Sequence, residues 1–353
     1  MLALAEGGDP TPVAALLDPA FDPLDLLRAP DRFVDLPPRV QRRLADPGLA
    51  AAAERVRAAA AKCGQTILTP ADAAYPDAWR WAPLRPLALF VRGETQALTA
   101  RPAAAFVGSR TPTPYGIEAA ADLAMTLARA GMCLWSGLAR GVDAAAHRAC
   151  VAMQTRTVAV LAGGLDDVYP PEHRELADRI VAFGGCLISE LAPGRRATRG
   201  HFPRRNRLLA MGTPTVVVVE AGLASGALQT ARLAAEWGAA VYALPGPWRS
   251  ERSQGCHRLL QEGAGVIESP ETLLRDLGVG VTNDGPAALR LAHSADEAAL
   301  LRQLDEGPRP CGLVQRESGL DREAFYRALF ALEQAGVVVR GDGDLLAYAP
   351  RRG

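Results

Sequence analysis

The strongest constraint on the fold is a rhythm. From about Pro86 onward, short apolar or β-branched runs alternate with amphipathic segments at intervals of roughly twenty-five residues, the period of βαβ units in a parallel sheet. The runs that read as strands are Leu87 to Val91, Ala104 to Val107, Met132 to Trp135, Thr157 to Leu161, Cys186 to Ser189, Thr215 to Val219, Ala240 to Leu244 and Val266 to Glu268. Between them the apolar spacing predicts helices at Tyr115 to Ala130, Ala139 to Met153, Pro171 to Phe183, Arg205 to Met211, Ala227 to Trp237 and Gln254 to Gln261. The expected fold class is α/β, a doubly wound parallel sheet.

The flanks break that rhythm. Residues 1–65 are rich in Ala, Leu and Arg, and six prolines (Pro19, Pro23, Pro30, Pro37, Pro38, Pro47) divide much of the stretch, which predicts short helices with one longer one at Ala50 to Ala61. After Leu277 the segment GVGVTNDGPAALR has no apolar face and reads as a linker, placed at 278–292. Residues 293–353 then give helices at Asp296 to Leu304, near Leu313 to Glu317 and at Arg322 to Gln334. Two apolar runs around Gly341-Asp342-Gly343 follow as a β-hairpin, completing a winged-helix-like pattern. A chain of 353 residues, 49% hydrophobic, suffices for one large core (66–277) and small units beside it.

Four glycine-bearing loops directly follow expected strands: Gly108-Ser109-Arg110, Ser136-Gly137 through Gly141, Gly163-Gly164, and Ser225-Gly226. In a parallel sheet all strand carboxyl ends share one edge, where open α/β folds bind ligands, so the four loops converge on one crevice. The last loop opens a helix, whose unpaired N–H groups favour an anion. Arg110 stands where a guanidinium can clamp a phosphate, or else pair with a helix acid on the surface. Between Arg195 and Arg207 lie six arginines and no acid, in a chain whose 39 basic and 39 acidic residues otherwise balance. A polyanion site must therefore be local. Arginine interleaved with His201 and Phe202 suits single-stranded nucleic acid, with cations on the backbone and an aromatic face for a base. Phe202 could instead anchor its own loop, and Asn206 or Arg207 could cap or pair within the following helix.

Other chemistry is thin. Asp143 and His147 are four residues apart on an expected helix, and could share a metal or proton or simply make structural hydrogen bonds. Glu220, at a strand end, is the one acid placed for general-base work, against a loop-bracing role. No G-x-G-x-x-G, Walker lysine, G-x-S-x-G or H-E-x-x-H occurs, so no catalytic residue, metal or cofactor is expected. Six scattered cysteines form no C-x-x-C pair. No leader-like start or apolar run of about 18 residues is present, which predicts a soluble, cytoplasmic protein without a membrane partner.

The blocks FVGSRTPTPYG, SGLARGVDAAAHRA, VAVLAGGLDDVYPPEHREL, SELAPG, HFPRRNRLLA, VVVVEAGLASGALQTARLAAEWG, ALPGP and QEGA, in order from about Ala103 to Pro270, resemble the DNA-processing protein A (DprA, or Smf) family. The resemblance implies a helical, SAM-like N-terminal domain, an extended Rossmann-like domain and a C-terminal winged helix. It implies a non-catalytic single-stranded DNA binder that protects incoming DNA and loads the RecA recombinase in natural transformation. The expected DNA contacts are Arg110, Arg199 and Phe202, and the wider phosphate-binding set comprises Gly108, Ser109, Gly137, Gly163, Gly164, Arg204, Asn206, Arg207, Ser225, Gly226 and Thr230. A homodimer near Gln254 to Gln261 and Val266 to Glu268 resembles the family's dimer contact.

Two departures stand out. Ala227 occupies the second serine position of the family's S-G-S-L-x-T-A loop, and Gly255-Cys256-His257 replaces a Gly-Thr-Asn-like triplet. The rival reading is an enzyme cleaving nucleoside monophosphates on a related fold whose motif looks like P-G-G-x-G-T-x-x-E. There the catalytic Glu follows the glycine loop, whereas Glu220 precedes it.

Overall fold

A computed structural model of the chain describes residues 46–80, 82, 85–279, 294–304, 309–334, 337–341 and 344–348. The short helices expected before residue 46, most of the 278–292 linker and the Asp342-Gly343 turn lie outside the described residues. Two compact units divide between Val279 and Gly280. No helix among the described residues is long and apolar enough to cross a membrane.

The first unit is built on a nine-stranded sheet in the order β1-β2-β6-β5-β4-β3-β7-β8-β9. Its strands are β1 (Thr66–Leu68), β2 (Leu89–Gly93), β3 (Ala103–Val107), β4 (Cys133–Ser136), β5 (Thr157–Val160), β6 (Cys186–Ser189), β7 (Thr215–Val218), β8 (Ala240–Ala243) and β9 (Gly265–Val266). From β6 to β9 every pairing is parallel, but β2 pairs antiparallel with both β1 and β6. The sheet is thus mostly parallel rather than wholly so. The reason is the connection after β2, a single 3-10 turn at Thr95–Leu98. A parallel crossover needs a dozen or more residues to return to the opposite edge. Running antiparallel, β2 ends on the edge where β3 begins, and the short turn suffices.

Strand alternation assigns the two faces. In β3, Ala103, Ala105 and Val107 enter one core, and Ala104 and Phe106 the other; in β7, Val216 and Val218 part from Val217 in the same way. Among the described residues the helices of this unit are α1 (Leu49–Lys62), α2 (Asp77–Arg80), α3 (Pro114–Arg129), α4 (Val142–Ala152), α5 (Arg174–Ala182), α6 (His201–Gly212), α7 (Gly226–Glu236), α8 (Gln254–Gln261) and α9 (Pro270–Asp276). Residues of α3, α4 and α9 bury against one face, and those of α6, α7 and α8 against the other. Strand order reverses between β3 and β7, so the loops leaving these neighbours diverge to opposite faces and open a crevice.

The second unit holds α10 (Ala295–Arg302), β10 (Arg309–Pro310), α11 (Cys311–Glu317), α12 (Arg322–Gln334), β11 (Val338–Gly341) and β12 (Leu345–Tyr348). Its antiparallel sheet runs β10-β12-β11. Leu300, Leu301, Val314, Phe325, Leu329 and Leu346 form its own core.

A tight point of the main core lies where α6 ends on two tryptophans. Trp79 and Trp135 are buried edge-to-face with ring centroids 5.8 Å apart. A Cβ on Gly212 would stand 2.7 Å from the Trp135 ring and 3.2 Å from Trp79. Helix propensity alone favours Gly212→Ala, but overpacking two rigid rings outweighs it. We expect the variant to lose about 1–3 kcal/mol in urea unfolding; a gain in stability would show that the rings move aside freely.

Candidate nucleic-acid interface

The first loop owes its shape to close approach. A Cβ on Gly108 would lie 2.6 Å from the Val142 side chain, so glycine is what lets α4 start against β3. Ser109 N–H donates to the Glu220 carbonyl at 2.6 Å, and its carbonyl accepts from Val142 N–H at 3.1 Å. The Glu220 carboxylate, 4% exposed, accepts from Thr113 N–H at 3.1 and 3.2 Å and from the Thr113 hydroxyl at 2.5 Å. Thr113 in turn caps α3, accepting from Gly116 N–H at 3.1 Å. Glu220 therefore braces the loop, and Arg110 projects from it exposed.

The second loop is cross-braced from beneath. Asp143 is buried and accepts from Gly137 N–H at 3.1 Å and Ala139 N–H at 3.3 Å. Burial pushes its carboxyl pKa up, with the Arg205 charge opposing. Arg205, reaching in from α6, donates to the Gly137 carbonyl at 2.5 Å and to the Val160 carbonyl. Burial lowers its pKa to about 10, which leaves it charged at neutral pH. His147 does not pair with Asp143: its Nδ1 lies 2.9 Å from the Thr157 hydroxyl, which itself donates to the Leu134 carbonyl at 2.6 Å.

In the third loop, Gly164 N–H donates to the Arg195 carbonyl at 2.7 Å, and a Cβ on Gly163 would stand 3.0 Å from Ala197 N. The double glycine seats the arginine segment. The fourth loop ends in Ser225, whose hydroxyl caps α7 by accepting from Ala227 N–H at 3.2 Å. Thr230, one turn on, donates back to the Gly226 carbonyl at 3.1 Å.

These parts meet at Arg110. Its guanidinium lies 4.8 Å from the centroid of Phe202, and Tyr169 meets that ring edge-on at 6.0 Å. Three adjoining grooves share Arg110: one runs past Gly108, Asn206, Ser225, Gly226 and Thr230, one past Arg199, Phe202 and Asn206, and one past Gly137, Gly163 and Phe202. Phe202 and Asn206, four apart on α6, thus share its crevice face. Four of the expected residues are engaged differently. Arg207 is buried against Glu190 in an ion pair, so a phosphate would have to displace a carboxylate to reach it. Arg204 lines a separate groove with Ser189, Glu190 and His201. Ser109's hydroxyl accepts from Thr111 N–H at 3.2 Å, and Gly164 packs against Ala192. Sequence reasoning passed over Tyr169 and Gln229, both of which line the open groove. Tyr169 follows the double-glycine loop by five residues, so the strand-end argument could have included it. Among the described residues no group of three or more His, Cys, Asp or Glu side chains is arranged to hold a metal. An exposed guanidinium over an aromatic face, beside a capped helix N-terminus, suits a phosphodiester with an attached base.

The family model described as DNA recombination-mediator protein A matches residues 66–278. Protein Smf of Escherichia coli is 36% identical over 284 residues, covering 78% of this chain and 76% of that protein. The X-ray structure of DNA processing protein A from Streptococcus pneumoniae superposes with a TM-score of 0.62 at 28% identity, over 78% of this chain and 95% of that one. The Helicobacter pylori DNA processing protein A, solved for its single-stranded DNA binding mode, gives a TM-score of 0.55 at 28% identity, over 60% of this chain and 95% of its own.

Burial beneath the second loop has a pH signature. Desolvation pushes the pKa of His147 down to about 3, against about 6.5 when unfolded. Below pH 6.5 the unfolded chain binds a proton that the folded one refuses, so this stability is whole above 6.5 and drains away toward pH 3. Asp143 acts with opposite sign but equally in a His147→Gln variant. The wild type should therefore lose about 2 kcal/mol relative to that variant between pH 7 and pH 5, read from paired urea titrations. A pH-independent difference would mean that folded His147 takes up the proton.

Proposed function

This chain belongs to the DNA recombination-mediator protein A family, and from that premise we propose that its crevice binds single-stranded DNA without sequence preference. The observation that carries the reading is Arg110 poised over Phe202 beside Ser225-Gly226. In this reading a phosphate sits between the guanidinium and the start of α7, and its base lies against Phe202. Arg199 and Asn206 follow the backbone along the open groove. The single-stranded DNA binding mode described for the Helicobacter pylori relative supports it. Glu220's engagement by Thr113 favours binding over cleavage of a nucleoside monophosphate.

We further propose that the bound strand is protected and handed to RecA in the cytoplasm, and that the protein works as a homodimer. Support for self-association is the short edge strand β9, where Val266 is 44% exposed beside α8. An open strand edge can pair with a second copy. Two crevices in one dimer would hold two segments at high effective concentration. Three helices and an antiparallel sheet among the described residues of the second unit support a winged-helix reading, with Phe330 and Tyr326 exposed on α12 as a protein-contact surface.

Arg110→Glu should weaken oligothymidylate binding by about 2–4 kcal/mol at low salt, since it replaces a charge-assisted contact with repulsion. Wild-type binding should itself fall steeply with salt as phosphates release counterions. Fluorescence anisotropy across a salt series decides this, and equal affinity of variant and wild type sinks the crevice. For the later step, the wild type should accelerate RecA-dependent ATP hydrolysis on single strands coated by another binding protein. Val266→Glu, monomeric by light scattering, should not. A wild type that is monomeric at micromolar concentration, or that binds strands without stimulating RecA, removes this second proposal.

A further inference from the structure

Outside the four glycine loops, one more segment stands on the same edge of the sheet. The loop 245–253 leaves β8 and carries Trp248, 76% exposed, with the Arg249 guanidinium 4.7 Å from its ring centroid. An exposed indole with a cation on one face has a second face open to solvent. The loop is compact rather than loose: Ser250 N–H donates to Pro247 O at 2.9 Å and Ser253 N–H to Ser250 O at 3.0 Å. The loop and the start of α8 that follows it are tied to both walls of the crevice. Arg252 Nη1 donates to the Thr111 hydroxyl at 2.8 Å, one residue from Arg110. The Tyr115 hydroxyl donates to the Pro245 carbonyl at 3.1 Å, and Gly255 N–H donates to the Ala221 carbonyl at 2.8 Å, on the stretch that leads to Ser225.

From this placement we infer that Trp248, with Arg249 and Arg252, forms a second base-stacking platform that extends the single-stranded DNA path beyond the crevice. The proposal rests on the crevice reading above and adds three residues to it. Sequence-tolerant strand binding combines cations that follow the phosphates with aromatic faces that take bases, and this loop supplies both. Glu251 is the loop's one acid, so Arg249 and Arg252 leave it net cationic. The ties to Thr111 and Ala221 make the platform continuous with the Arg110 and Ser225 loops, so a strand leaving the crevice on that side meets Trp248.

The test uses the full chain and two oligothymidylates, of about four and about sixteen nucleotides, which bracket a single site's span. Trp248→Leu should bind the short strand like the wild type and lose about tenfold affinity for the long one, while Trp248→Phe keeps most of it. The long strand should quench wild-type tryptophan emission, and that quench should be missing in Trp248→Leu. Unchanged affinity of Trp248→Leu for the long strand, an equal loss on both lengths, or a saturated complex with unquenched emission overturns the platform. Because Trp248 is mostly exposed, its replacement leaves the core intact. An Arg110→Glu variant that still binds both lengths refutes the crevice itself, an outcome separate from any effect at Trp248.

Discussion

The crevice depends on one buried cation. Arg205 leaves α6, enters the protein and donates to the carbonyls of Gly137 and Val160, with the Asp143 carboxylate fixing the N–H groups of the same loop. Neither charge is tolerable alone in that environment, since an unpaired buried ion costs several kcal/mol. Together they lock α6 against the ends of two strands. A Cβ at Gly137 would fall 1.9 Å from the Arg205 guanidinium, so the loop has no room for any other residue while the brace is in place. Because α6 also carries Phe202 and Asn206, fixing Arg205 fixes the surface that faces Arg110. A helix with cationic residues on both sides is thus divided by burial: one side holds the fold and the other lines the crevice.

Much of this was legible in the sequence, and the limits have physical causes. The eight expected strands all occur, with ends shifted by a few residues, because short apolar runs at βαβ spacing between amphipathic segments have few alternatives. The short β1 and the antiparallel course of β2 were not legible, since direction is set by connection length and by the edge at which the next strand starts. The start of α4 was expected at Ala139 but falls at Val142, because Asp143 holds the preceding loop open by bonding Gly137 and Ala139. Helix α6 starts at His201, a turn before expectation, as Pro203 is tolerated in a first turn.

The convergence of the four loops could be argued from topology alone, but the share each arginine takes could not. Arg205 and Arg207 look like Arg110 and Arg199 in a sequence; only packing separates two buried guanidinia, one bonded to carbonyls and one to Glu190, from two exposed ones. The loop-bracing use of Glu220 was one of two open readings, and Thr113 decides between them by supplying three donor contacts to the carboxylate. Trp248 was invisible for a different reason. Its meaning comes from the contacts Arg252–Thr111 and Tyr115–Pro245, each of which joins residues more than a hundred apart in sequence.

The braces on the Arg110 loop also bear on how a ligand arrives and departs. Ser109 is bonded to Glu220 and Val142, and Thr113 N–H to the Glu220 carboxylate, so the loop is shaped before any ligand reaches it. The encounter is then governed by diffusion and charge, and its rate belongs to the long-range field of the exposed arginines. Departure, for a strand held as proposed, is governed by short-range contacts with the aromatic faces. A site built this way lets the two rates change independently, one through charges at the rim and the other through the rings within.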